Sequence, residues 1–232
     1  MVPRLVRRRS VPVPTAFGLL VLLAAGALGL YALRGALPGY LAASAPEGRG
    51  LLVVEGWISR EALRSAAERF RSGGYELVVV TGGPLDGPEC GGDGPTYADR
   101  AAAELRRLGI QEPVLAVVPA PPSAQDRTYR SAVAVRHWLQ RTGRRIEALD
   151  VFSQGPHARR SRALYRMALG GGIRVGALSA PPSYDIARWW RNSAGAKEVL
   201  GEALGYAWAS CCFWPGARDS PEELWGVSRE TP

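Results

Sequence analysis

The chain predicts an α/β fold: a three-layer α/β/α sandwich on a mainly parallel sheet of about five strands, preceded by one transmembrane helix. Three observations carry this. Short continuous apolar runs alternate with longer amphipathic stretches from residue 50 to residue 178, as expected of buried parallel strands joined by crossover helices. Nineteen uncharged residues from Thr15 to Leu33, TAFGLLVLLAAGALGLYAL, match the thickness of a bilayer core. The length of 232 residues, with 47% hydrophobic and 22% charged, suits one globular domain plus an anchor.

Taken in order, residues 1–14 form a basic amino terminus in which Arg4, Arg7, Arg8 and Arg9 precede the apolar segment at 15–34. Only Arg34 follows it closely, so the positive-inside rule places the amino terminus in the cytoplasm and the body of the protein outside it. A cleaved signal peptide is the competing reading. Ala43-Ser44-Ala45 offers a small-residue cleavage site, while Pro46 directly after it and its distance from the apolar run argue against cutting. The Arg-Arg pair also suggests a twin-arginine signal, which Ser10 to Pro14 matches poorly. Residues 35–49, with Pro38, Gly39, Pro46 and Gly48, read as a linker, 50–212 as the α/β domain and 213–232 as a tail partly pinned by Trp214 and Trp225.

Within the domain, strands are expected at Leu51–Val54, Leu77–Thr81, Val114–Val118, Ala148–Phe152 and Ile173–Leu178. Helices are expected at Ser59–Arg71, Thr96–Leu108, Arg127–Gln140 and His157–Leu169, with a closing helical region at Ile186–Trp190 and Lys197–Ala209. Local signals agree. Ser59 can cap the first helix, Thr96 and Asp99 approximate a capping box, and Gly73-Gly74 and Gly109 stand where left-handed caps close a helix.

The net charge of +8 does not point to nucleic acid, because the arginines are dispersed and Lys197 is the one lysine. Cys90, Cys211 and Cys212 form no CxxC pair, and neither a metal site nor a cofactor is expected. Three free thiols are the simplest reading, since adjacent cysteines make a strained ring; a Cys90 bridge to one of the pair requires the fold to bring them together. No G-x-S-x-G or H-E-x-x-H motif is present.

A parallel sheet gathers the segments that follow its strands at one edge, where ligands of such folds bind. Those segments carry Glu55, Gly82, Gly83, Arg127, Thr128, Ser153, Gln154, His157 and Arg160, with Trp57 and Tyr184 as possible walls. Together they suggest one electropositive hollow. Glu55, after four apolar residues, suits a general base or an orienting partner, or equally a cap or ion-pair partner. Gly82-Gly83 permits positive φ and close backbone approach to a ligand, although a plain turn explains it as well. His157 suits acid–base work or anion binding, and of its neighbours Arg160, nearly a turn away, should face the cleft while Arg159 pairs on the surface. Arg127 adds a planar fork for phosphate or carboxylate, and Asp126 or Thr128 is expected to cap the helix behind it. Trp189-Trp190 reads as core packing for at least one of the pair, or as an interfacial anchor.

The series VVEGW (53–57), TGG (81–83), TYADRAAAELRRLGI (96–110), RTYRSA (127–132) and FSQGPHARRSRALY (152–165) resembles the ElyC/SanA/YdcF family, over about residues 51–209. The resemblance implies a Rossmann-like fold and marks Gly82, Gly83, Thr128, His157 and Arg160 as cleft positions. It departs from the family pattern at Tyr97, in place of a glutamate, at Arg127, in place of an asparagine, and at Pro119, where an acid is usual. If the usual acid has a catalytic role, the resemblance implies that Glu55 or Asp99 replaces it, or that the chemistry differs here. Members with an amino-terminal membrane helix are associated with the bacterial cell envelope, which implies a single-pass inner-membrane protein with an extracytoplasmic domain. Two functions follow as expectations. One is an enzyme, a hydrolase or transferase on an anionic or phosphate-bearing lipid-carrier or peptidoglycan precursor, with His157 and Glu55 catalytic and Gly82, Gly83, Arg127, Thr128, Ser153, Gln154 and Arg160 binding ligand. The other is a non-catalytic barrier factor that binds a ligand or partner. A cytoplasmic nucleotide or methyl-donor enzyme is suggested by fold alone.

Overall fold

The computed structural model of the protein describes residues 13–85, 94–123, 125–220 and 223. Arg4, Arg7, Arg8, Arg9, Cys90 and Trp225 lie outside the described residues. The chain divides into two compact units, Met1–Ala36 and Leu37–Pro232. Helix α1 (Ala16–Leu41) is apolar and long enough to cross a membrane.

The larger unit is a five-stranded, all-parallel sheet flanked by helices, a Rossmann-like α/β fold. Its strands are β1 (Gly50–Glu55), β2 (Tyr75–Gly82), β3 (Leu115–Pro119), β4 (Ala148–Gln154) and β5 (Arg174–Ala180), in the order β3-β2-β1-β4-β5. Helices α2 (Arg60–Arg71) and α3 (Tyr97–Arg107) cover one face; α4 (Arg127–Thr142) and α5 (His157–Leu169) cover the other. Alternate residues of β1 feed the two faces: Leu52 and Val54 pack with α2 and α3, Leu51 and Val53 with α4 and α5. All four are fully buried, each contributing about 1.5–3 kcal/mol. The strand order reverses between β1 and β4, and at such a switch point the loops part and leave a crevice.

The helix starts and ends follow local chemistry. The Ser59 hydroxyl accepts from the Ala62 N–H, and Thr96 and Asp99 form a reciprocal capping box. Gly73, Gly74 and Gly109 take the positive φ that ends α2 and α3. Gly56, just past β1, is needed for another reason: a Cβ there would lie 2.4 Å from the Tyr97 carbonyl oxygen, so only glycine lets α3 start this close to the sheet.

The segment expected as a linker is part of the fold. The final turn of α1 continues through Pro38 to Leu41, because Leu37 and Leu41 pack against helix α6 (Ser193–Cys211) together with Val199 and Ala203. Ala45 then pairs antiparallel with Ala177 beside β5. The N–H groups of Glu47 and Gly48 donate to the fully buried Asp150 carboxylate at 2.8 Å each, and the Tyr75 hydroxyl donates to it at 2.7 Å. Three donors offset the desolvation of that charge.

The tail also differs from expectation. Trp214 is exposed; Phe213 packs edge-on against Tyr129, and Glu223 is buried against α4. The Glu223 carboxylate accepts from Arg136, Tyr129 and the Asp219 N–H, while Arg130 donates to its carbonyl. Cys211 and Cys212 are joined in a disulfide rather than free. They sit where α6 ends and Cys212 leaves helical geometry (φ −133°, ψ −7°), which frees the adjacent side chains from their helical directions. Trp189 is buried and Trp190 exposed.

Candidate functional site at the strand switch point

The crevice beyond the carboxyl ends of β1 and β4 opens into a cavity of about 820 Å³. Glu55, the last residue of β1, is its most buried acid at 3% exposure. Both carboxylate oxygens are bonded from the reversal: Ser153 Oγ of β4 donates to one at 2.5 Å and Ser161 Oγ of α5 to the other at 2.8 Å. Its cross-strand neighbour on β2, Thr81, also lines the cavity, and the buried Thr81 hydroxyl has no hydrogen-bond partner among the described residues. A buried hydroxyl left unpaired beside a cleft is a position for a ligand or water to satisfy.

His157 opens α5, whose N-cap Pro156 offers no side-chain bond. Its Nδ1 lies 2.9 Å from Glu202 Oε1, and its Nε2 lies 3.3 Å from Thr128 Oγ1 and 3.8 Å from Glu55 Oε1. Trp57 packs edge-on over the ring at 4.9 Å between centroids. Arg160 grips Glu202 with Nε at 2.7 Å and one terminal nitrogen at 2.9 Å, and that nitrogen also lies 2.9 Å from His157 Nδ1. Two donors therefore compete at one place. We assign the Nδ1 proton to the Glu202 bond, since the carboxylate is the stronger acceptor and Arg160 is already satisfied by it; Nε2 then keeps its lone pair toward the cavity.

Glu202 is ionised in this arrangement. Burial pushes its carboxyl up, but the bonds from His157 and Arg160 outweigh burial and hold it at about 2. The same pairing raises Arg160 against the lowering effect of burial. Two other acids of the cavity move the opposite way: burial raises Asp126, opposed by the Arg160 charge, and burial followed by the nearby Glu202 charge raises Glu198.

The hollow is not electropositive. Four carboxylates, Glu55, Asp126, Glu198 and Glu202, line it with three guanidiniums, Arg100, Arg127 and Arg160. Arg160 is neutralised by Glu202, and Arg100 donates to the Gly56 carbonyl at 3.1 Å and stacks on Tyr97. Arg127, at the start of α4, is exposed and has no acidic partner among the described residues. Neither Asp126 nor Thr128 caps that helix as expected. Asp126 holds a left-handed backbone (φ 51°, ψ 37°) with no side-chain cap bond, and Thr128 turns its hydroxyl to His157. The amino end of α4 thus meets the cavity beside Arg127, a setting that favours an anion. A non-glycine residue at positive φ marks local strain, here at the cavity wall.

Glu55, Gly83, Arg127, Thr128, His157 and Arg160 all line the cavity. Ser153 stands behind it, holding Glu55. Gly82 and Gly83 do not use positive φ; a Cβ on Gly82 would meet Tyr97 Cβ at 2.7 Å, so this glycine admits α3 and not a ligand. Gln154 faces elsewhere, bonded to the Ser59 N–H and hydroxyl and to the Pro181 carbonyl, which ties β4 to the start of α2. Arg159 stacks on Tyr40, and Tyr184 packs with the α6 cluster. Asp99 is occupied as the capping partner of Thr96, which leaves Glu55 as the acid of the earlier pair that lines the cavity. The acids the sequence reading passed over are Glu198 and Glu202 on α6, whose signal is their spacing: four residues apart, one face of a helix whose opposite face is apolar.

Comparison of the chain with protein-family models, with curated proteins and with solved structures finds no match.

Proposed function

We propose that this chain is a membrane-tethered enzyme of the bacterial cell envelope, a hydrolase or transferase on a phosphate-bearing lipid-carrier or cell-wall precursor, with His157 as its general base. The observation that carries the reading is the imidazole held at Nδ1 by an ionised Glu202 with Nε2 turned to the cavity. A water or substrate hydroxyl that replaces Thr128 as the donor to Nε2 gives up its proton there as its oxygen attacks phosphorus and the bond to the leaving oxygen breaks. Arg127 and the amino end of α4 hold the phosphate, and the unpaired Thr81 hydroxyl supplies a further contact. Glu55, fixed by two serines with one oxygen 3.8 Å from Nε2, stands where a carboxylate favours the cation that forms on the imidazole.

The apolar α1 helix and the resemblance to the ElyC/SanA/YdcF family support the envelope setting. Arginines ahead of the span support a cytoplasmic amino terminus and an extracytoplasmic cleft. The test is phosphate release from a polyprenyl diphosphate by the full chain in detergent, compared with His157→Ala. Release that falls by about 10² or more in the variant is the expected result; equal rates in both, with the variant folded, would refute a base at this position.

A further inference from the structure

The surface helices of this fold differ in one respect. The outer faces of α2 and α3 are charged, with Arg60, Glu61, Arg64 and Glu68 exposed on α2 and Arg106 and Arg107 on α3. The outer face of α6 is not. Leu200, Leu204 and Trp208, four residues apart, form one stripe with exposures of 52%, 74% and 55%, continued by Ala207 and by Trp214 at 84%. Lys197 alone adds a charge, at the beginning of the stripe. Apolar stripes of this kind on a folded domain mark a surface with a partner.

We infer that the outer face of α6 lies in the headgroup region of the membrane that α1 crosses, and that this seats the cleft at the lipid surface. Two facts select lipid over other occupants. The chain enters this unit at Leu37, and Leu37, Tyr40 and Leu41 pack directly on α6, with Tyr40 edge-on to Tyr206 at 5.9 Å. The uncharged run ends at Leu33, so the residues between it and α6 reach at most about 15 Å even when fully extended. The stripe itself has the chemistry of an interface: leucines to enter the acyl boundary, tryptophans whose rings prefer headgroup level, and a lysine that can reach back to lipid phosphate. Among the described residues α1 is the helix apolar enough to span, so α6 lies on the bilayer and does not cross it.

This deepens the proposed function and names its substrate class. Glu198 and Glu202 point from α6 into the cavity while Leu200, Leu204 and Trp208 point away, so one helix diameter, about 10 Å, separates the lipid face from the carboxylate that orients His157. A phosphate at the head of a lipid fits that separation. A soluble sugar phosphate gains nothing from it.

All seven tryptophans follow residue 56, and the span contains none, which makes their emission a direct probe. The full chain is reconstituted in vesicles of phosphatidylcholine and phosphatidylglycerol, with or without bromine on the acyl chains. Emission should fall in the brominated vesicles, and Trp208→Phe with Trp214→Phe should remove most of that fall, whereas Trp138→Phe should leave it unchanged. Leu204→Glu should weaken it while thermal unfolding stays as in the parent. Equal emission in both vesicle types overturns the inference, as does a fall unaffected by the double variant, or a stripe buried in a dimer that Leu204→Glu splits. His157→Ala leaves quenching intact, so a failure of the cleft chemistry is seen separately, in phosphate release.

Discussion

Replacing Glu202 by glutamine isolates the residue on which the reading of the cleft turns. Glutamine has nearly the same shape but only one acceptor oxygen; placed where it accepts from His157 Nδ1 and the Arg160 terminal nitrogen, it turns its amide, donor to donor, against Arg160 Nε and loses the charge that holds both partners. At about 1.4 kcal/mol per pH unit, a carboxyl held at about 2 instead of 4.5 stabilises the folded state by about 3 kcal/mol. Because the folded value is the lower one, this contribution is complete above pH 4.5 and is lost as the pH falls toward 2. The variant should lose most of it at neutral pH, with a thermal midpoint about 5 to 10 °C lower for a chain of this size. Phosphate release should fall by about 10² or more in kcat, with KM little changed because Arg127 is untouched. Glu202→Leu with Arg160→Met should recover part of the stability, since the uncompensated buried guanidinium is gone, but none of the activity. Circular dichroism melts in detergent and single-turnover phosphate release measure the two effects. Activity within threefold of the parent in folded Glu202→Gln would refute the assignment of the Nδ1 proton and the role built on it.

Arg127→Ala should raise KM for a phosphate-bearing lipid about tenfold, the loss of one charged hydrogen bond, with no change in melting; equilibrium binding to phosphate-doped vesicles checks it. Glu223→Gln should release the tail from α4 and leave Arg136 buried with a weaker partner, at a cost of about 2–4 kcal/mol, read as a lower melting midpoint and faster proteolysis after Cys212. Burial, then the Asp150 bond, raise the Tyr75 hydroxyl to about 12. The folded state therefore holds that proton longer than the unfolded chain does, and stability should be constant up to pH 10 and fall as the pH rises toward 12. Tyr75→Phe should flatten that alkaline limb in a denaturation series.

The fold was legible because its signals are local. Four apolar residues ahead of Glu55, a capping serine at 59 and paired glycines at 73 and 74 each act within one turn of themselves, and the register of β1 between β2 and β4 follows once both faces of the strand must be buried. What stayed hidden depends on contacts far apart in sequence. Asp150 reads as an anomaly inside an apolar strand; only the fold shows that residues 47 and 48, over a hundred positions earlier, supply its donors. Gly176 beside it is glycine because a Cβ would lie 1.9 Å from that carboxylate. The tail is held by contacts of the same long-range kind: Trp214 is exposed and Trp225 lies outside the described residues, while Phe213 packs on Tyr129 and Glu223 pairs with Arg136, which looks like an ordinary surface arginine in the chain.

The candidate site divides along the same line. Glu55, Arg127, Thr128, His157 and Arg160 were legible because a parallel sheet must bring the ends of its strands to one edge, whatever the order. The order decides the rest. With β1 beside β4, Glu55 meets Ser153 and Ser161, and α6 closes over the reversal and delivers Glu202 to the imidazole. Nothing near His157 in the sequence announces that carboxylate. The one available sign was negative: a helix whose exposed stripe is leucine and tryptophan must place its acids inward, and acids placed inward at a switch point need a cation to face. The charge that Arg160 would have offered a ligand is neutralised by Glu202, so the proposed function assigns the anion to Arg127, where this chain departs from the pattern it otherwise resembles.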